Sequence, residues 1–160
     1  MIFSTQGNHF IVELSGCNSK HLTNLAFVEN TLVEGVKKAK ATLISQNFYQ
    51  FSPQGVSGIL LLAESHCSIH TWPEEGYAAI DIYTCGDHTM PEEACKYIAE
   101  KLQAQKVFFT NIIRGRFNES KNSHEHVLTR DSLDYMKLNT AQKIETSHKQ
   151  INKQPVLVGS

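Results

Sequence analysis

Residues 64–86 read Glu64-Ser65-His66-Cys67-Ser68-Ile69-His70-Thr71-Trp72-Pro73-Glu74-Glu75-Gly76-Tyr77-Ala78-Ala79-Ile80-Asp81-Ile82-Tyr83-Thr84-Cys85-Gly86. Strand alternation places His66, Ser68, His70 and Trp72 on one face and Cys67, Ile69 and Thr71 on the other. Pro73-Glu74-Glu75-Gly76 is a turn. After it Ala78, Ile80 and Ile82 share one face, and Tyr77, Asp81, Tyr83 and Cys85 share the opposite one. This parity predicts a sheet with an apolar face for helices to cover and a second face carrying polar and reactive groups. One side supplies stability and the other stays open to ligand. A stretch used only for packing has no need of so many nucleophiles and proton carriers, so these residues form the candidate active site.

Upstream, residues 9–16 read as a strand, with Phe10, Val12 and Leu14 alternating against Ile11, Glu13 and Ser15. Residues 16–19 carry turn chemistry. A helix is expected over 24–40, with Val28, Leu32, Val36 and Ala39 at helical spacing, Asn24 as N-cap and lysines near its far end. Residues 42–51 read as a second strand and 52–55 as a turn. The run Ile59-Leu60-Leu61-Leu62 within 58–63 predicts a central strand covered on both faces. Downstream, Pro91 followed by Glu92 and Glu93 opens a second helix. Residues 107–113 form a last strand, closed by Arg114-Gly115-Arg116. Beyond Phe117 the composition turns polar, with one short helix expected over 128–144. The chain thus divides into a domain at 1–117 and a polar C-terminal extension at 118–160.

At 160 residues and 41% hydrophobic content, the chain is long enough to bury a core. The net charge of -1, with acids and bases interspersed, gives no electrostatic footprint for nucleic acid. No apolar run approaches a membrane span, and the N-terminus has no signal-peptide pattern, so a cytoplasmic location is expected. Cys17, Cys67, Cys85 and Cys95 contain no C-x-x-C pair and are expected as free thiols. Read as a metal module, His66, Cys67, His70 and Cys85 fail on parity, because Cys67 points away from His66 and His70; no metal is expected.

The residue types allow a specific chemistry. The Ser65 hydroxyl can attack the preceding carbonyl, that of Glu64, turning amide into ester. Removal of the serine α-proton then eliminates the upstream chain and leaves, after hydrolysis, an N-terminal pyruvoyl group. This route needs a tightly held backbone, a proton carrier such as His70 and donors for the oxyanion, among which Ser57 is a candidate. A pyruvoyl carbonyl condenses with an amine to a Schiff base and accepts the electrons released on decarboxylation. Cys85 can protonate the product, Trp72 offers an aromatic plane, and Glu74 can accept hydrogen bonds from sugar hydroxyls. Spacing alone does not single this chemistry out. Taken singly, Ser65 reads as a strand serine and His70 as a structural histidine.

The run 64–86, together with Phe51-Ser52-Pro53-Gln54-Gly55-Val56-Ser57-Gly58 and Glu13-Leu14-Ser15-Gly16-Cys17, resembles the prokaryotic S-adenosylmethionine decarboxylases, in order and spacing, over about residues 8–116. The resemblance implies an α+β fold, a two-layer sandwich of mostly antiparallel sheet with helices on one face. It implies self-cleavage between Glu64 and Ser65, with Ser65 becoming a covalent pyruvoyl cofactor. His70 would then assist processing, Cys85 donate a proton, and Ser57 support processing. Phe51 and Trp72 would line the adenosyl pocket and Glu74 would meet the ribose. It further implies S-adenosylmethionine as substrate, a product that is the aminopropyl donor for spermidine, and a homodimer with sites near the interface. Ile112-Ile113 stand where relatives often carry a proline, and the tail is longer than a minimal member requires. A pyruvoyl decarboxylase of ornithine or arginine is the near alternative, and a cleavage-inactive regulatory paralogue a more distant one.

Overall fold

The computed structural model describes residues 5–129. Seven strands, β1 (Gly7–Ser15), β2 (Leu43–Gln50), β3 (Val56–Leu62), β4 (Ser65–Trp72), β5 (Tyr77–Cys85), β6 (Lys106–Asn118) and β7 (Ser123–Thr129), form one antiparallel sheet. Its order is β2-β3-β4-β5-β1-β6-β7. Three α-helices, α1 (Ser19–Thr23), α2 (Leu25–Lys38) and α3 (Pro91–Lys101), accompany the sheet among the described residues. Alternation does what the sequence predicts. Leu14, Ile69, Ile80 and Ile82 are buried, as are Leu22, Val28, Leu32, Val36 and Ile98 from the helical layer. The result is the expected two-layer α+β sandwich, driven by removal of these side chains from water.

Among the described residues nothing covers the opposite sheet face, and register lines up its residues in rows. Leu61, His66, Tyr83, His9 and Ile112 form one row across β3, β4, β5, β1 and β6. Ile59, Ser68, Asp81, Ile11 and Thr110 form the next, and Ser57, His70, Ala79, Glu13 and Phe108 the third.

Three expectations need correction, while the helix expected over 24–40 stands as α2, with Asn24 as its N-cap accepting from the Phe27 N–H at 3.0 Å. The short α1 that precedes it, capped by Asn18 and ended at Asn24, was not among the expected elements. Side-chain capping competes with helix continuation at asparagine, so the chain turns there. The strand expected to be covered on both faces is covered on one, with Ile59 and Leu61 about half exposed and Leu60 and Leu62 buried. Arg114-Gly115-Arg116 does not close the last strand. Gly115, at φ 74°, absorbs a bulge between Ile113 and Arg116, and β6 runs on to Asn118 and pairs with β7. Leu128 and Thr129 belong to that seventh strand rather than to a helix; the rest of the helix expected over 128–144 lies outside the described residues.

Candidate active site

Ser65 opens β4 directly after a two-residue connection, Ala63-Glu64, from β3. Two-residue hairpin loops favour positive φ within the loop, usually with glycine or asparagine. Here neither loop residue has it, and the positive φ, 152°, falls on Ser65. A non-glycine residue in this region stores strain, of order 1–3 kcal/mol. The Ser65 Oγ lies 3.2 Å from His66 Nδ1. The carbonyl oxygen of Glu64, the group the hydroxyl would attack, accepts the Cys85 N–H at 3.0 Å.

The Glu64 carboxylate is held as firmly. It accepts from the Thr42 N–H at 2.9 Å, the Thr42 hydroxyl at 3.1 Å and His88 Nε2 at 3.2 Å. Burial pushes its pKa up, but the Thr42 and His88 hydrogen bonds outweigh burial and hold it below the ordinary carboxylate value. The Ala63 N–H closes the arrangement by donating to the Thr42 carbonyl at 2.9 Å.

Cys85 sits at the end of β5 opposite Gly7, where an added Cβ would meet Thr84 O at 2.5 Å and Cys85 Sγ at 3.0 Å. Among the four cysteines it alone is not buried. Burial drives the Cys17 and Cys95 thiols up to about 12 and raises that of Cys67 as well. Burial, then the neighbouring Cys85 thiol, raises the Tyr83 pKa. The Arg114 guanidinium lies 4.4 Å from the centre of the Tyr83 ring and donates to His9 Nδ1 at 3.4 Å. With Nδ1 accepting, the His9 proton is on Nε2, which donates to Asp81 at 3.3 Å. Burial lowers the His9 pKa against the opposing pull of Asp81, in keeping with a neutral ring.

A second cluster lies further along β4. Ser57 and His70 are directly paired across β3 and β4, with Oγ and Nδ1 2.7 Å apart. Trp72 stacks on Tyr77, ring centres 5.1 Å apart at 24°. The Tyr77 hydroxyl donates to Glu13, and this bond, then burial, raises its pKa to about 12. Glu74, in the 3₁₀ turn Pro73–Glu75, accepts from Gln54 Nε2 at 3.2 Å. Phe51 is exposed, edge-on to Tyr49, and its N–H donates to Gly55 O.

Glu64, Ser65 and Cys85 are therefore brought together, as are Ser57 and His70 with Trp72. The two groups are not brought together within one chain. Ser65 and His70 are five strand positions apart, about 17 Å at ~3.4 Å per residue. Sequence analysis gave no role to His66, Thr42, His88, His9, Arg114 or Tyr83. Parity put His66 and Tyr83 on the open face, but the cross-strand register that gathers them with His9 was not visible.

Fold and site together define an α+β sandwich whose reactive side chains line an open sheet face and whose serine sits in strained backbone. A family model described as S-adenosylmethionine decarboxylase matches residues 8–115. The chain belongs to the S-adenosylmethionine decarboxylase family, and so to a family of enzymes. It is 49% identical over 108 residues to the S-adenosylmethionine decarboxylase proenzyme of Synechococcus sp. (strain WH7803), covering 68% of this chain and 84% of that one. It is 45% identical over 113 residues to the proenzyme of Clostridium kluyveri, with 71% and 90% coverage. The crystal structure of adenosylmethionine decarboxylase from Aquifex aeolicus superposes with a TM-score of 0.63 at 39% identity, covering 68% of this chain and 89% of that one.

Proposed function

We propose that the chain is a proenzyme that cuts itself between Glu64 and Ser65 and then decarboxylates S-adenosylmethionine, yielding the aminopropyl donor for spermidine. The observation that carries this is the Glu64–Ser65 peptide itself: a serine at φ 152° follows a carbonyl already bonded to a backbone N–H. That N–H, from Cys85, is aimed where negative charge develops when the hydroxyl attacks, so no reorganisation is needed at that moment. Conversion of amide to ester lets the backbone at Ser65 relax.

Position 65 fits a pyruvoyl group, since Ser65 begins its strand half-buried beside Cys85. Such a group supplies a carbonyl that withdraws electrons from a substrate α-amino acid. The chain's own residues do the rest. The Cys85 thiol stands beside this position as proton donor, Trp72 and Phe51 offer aromatic surface to an adenine, and Glu74 accepts from ribose hydroxyls.

The distance between the two clusters favours a symmetric dimer through the uncovered sheet face. Ile11, Ile59, Leu61 and Phe108 are exposed there, an unusual concentration for a surface left in water. A twofold axis parallel to that face and perpendicular to β4 lays a second copy against it, face to face, with its strands reversed. Ser57, His70, Trp72 and Glu74 of one protomer then approach Ser65 and Cys85 of its partner.

Mass spectrometry of the purified protein tests self-processing. Two fragments are expected, residues 1–64 and 65–160, the second blocked by a pyruvoyl group, and Ser65→Ala should remain one chain. An intact wild-type chain without a carbonyl group overturns the proposal. Carbon dioxide release from S-adenosylmethionine, ornithine and arginine, measured side by side, tests the substrate; faster release from either of the latter two overturns that assignment.

A further inference from the structure

In a regular strand, neighbouring side chains point to opposite faces. Register sets Ser65 opposite Leu62 and Thr84, both buried on the helix side, whereas His66 stands in the open-face row with Leu61 and Tyr83. Ordinary backbone would keep the Ser65 hydroxyl and the His66 ring apart. The φ of 152° at Ser65 removes that separation and leaves Oγ 3.2 Å from Nδ1. The same residue thus carries the strain, the nucleophile and a hydrogen bond to a base. His70, five positions away, holds the Ser57 hydroxyl instead.

From this geometry we infer that His66 is the general base for the first step of self-cleavage, the shift of the Glu64 acyl group from nitrogen to oxygen. The inference rests on self-processing at Ser65. The bond from Ser65 Oγ to the Glu64 carbonyl carbon forms while the hydroxyl proton passes to His66 Nδ1. The carbonyl electron pair moves onto the oxygen held by the Cys85 N–H. When that oxygen reforms its double bond, the carbon–nitrogen bond breaks and the departing Ser65 nitrogen takes the proton back from Nδ1. No proton or electron is gained or lost overall, and His66 is restored. The base must carry its own proton on Nε2, so that Nδ1 is free to accept.

The surroundings suit this role. The His66 ring lies edge-on to Tyr83 at 6.0 Å and to His9 at 6.1 Å between centres. His9 is itself fixed between Arg114 and Asp81. These packed rings limit the orientations open to His66, whose Nδ1 faces the Ser65 hydroxyl.

The test follows cleavage of freshly translated full-length chain, comparing wild type with His66→Ala and His66→Gln. Both variants should cleave at least about 100-fold more slowly, the usual contribution of a positioned general base. Imidazole added in solution should restore cleavage of His66→Ala, which a purely structural residue would not allow. The uncleaved variants should also resist hydroxylamine, which cuts an ester but not an amide. Cleavage of either variant at the wild-type rate overturns the inference. So does accumulation of a hydroxylamine-sensitive ester, since the block would then fall after the acyl shift. Absence of imidazole rescue in a variant with a native circular-dichroism spectrum overturns it too. Should His66→Ala fail to fold, His66→Gln carries the same rate and hydroxylamine comparison. Failure of the wild-type chain to cleave would instead count against self-processing itself.

Discussion

Glu64 contributes two groups to the proposed cleavage site, a carbonyl held by the Cys85 N–H and a carboxylate held by Thr42 and His88. The carboxylate's pKa is depressed on folding, so its stabilisation is full above the unfolded value of ~4.3 and is lost as pH falls through the lower folded value. In a Ser65→Ala background, which keeps the chain intact, Glu64→Gln should therefore cost roughly 1–3 kcal/mol at pH 7, typical of hydrogen bonds to a charged group. The difference should shrink towards zero below the ordinary carboxylate range. Denaturant unfolding at both pH values checks this, and a pH-independent difference would contradict it. At this scale the sequence named Ser65, Ser57, His70 and Cys85 through residue type and resemblance. It could not name His66 as the partner of Ser65, because alternation assigns adjacent residues to opposite faces and only an irregular φ brings them together. Nor could it join Thr42 and His88 to Glu64, since that contact depends on how two distant loops are set by the sheet.

The strand expected at 107–113 and the helix opened by Pro91 followed from pattern, because each buries one face, whereas the edge strand expected at 42–51 was legible only from its strand-forming residues and stays largely exposed. The helix over 24–40 was legible together with its start, since the Asn24 side chain accepts from the Phe27 N–H at the head of α2. Asn24→Ala should cost about 1 kcal/mol of folding free energy, the ordinary value of an N-cap, seen as a lower thermal midpoint. An unchanged midpoint would mean that packing of α2 fixes its start without the cap. Two other elements were misread. The run of four apolar residues in β3 suggested two covered faces because a single chain cannot show what covers the second. Gly115 reads as a strand end but acts as a bulge, since glycine at positive φ bends a strand without ending it.

At the scale of the whole molecule, the two clusters on β4 give a test that needs no isolated fragment. If the partner supplies Ser57 and His70 to Ser65, a chain with His70→Ala and a chain with Ser65→Ala should complement each other. Co-expressed, they should form mixed dimers in which the His70→Ala chain is cut and the Ser65→Ala chain is not. Each expressed alone should stay whole. Cutting of the His70→Ala chain on its own, at the wild-type rate, would show that no partner histidine is required. The one-sided sheet was legible in residues 64–86, and its openness follows from the same parity. How distant strands sort across the sheet was not, because β1 and β6 pair over some hundred residues of intervening chain.

That strand order bears on timing. The proposed scission after residue 64 would assign β1, β2 and β3 to one product and β4 to β7 to the other, yet across the sheet they run two, two, one, two. The first strand of the short product is wedged between two strands of the long one, so neither product owns a contiguous half. Assembly must precede the cut, and a matured molecule that is melted apart would have to re-thread two separate polypeptides, a task its precursor never faced.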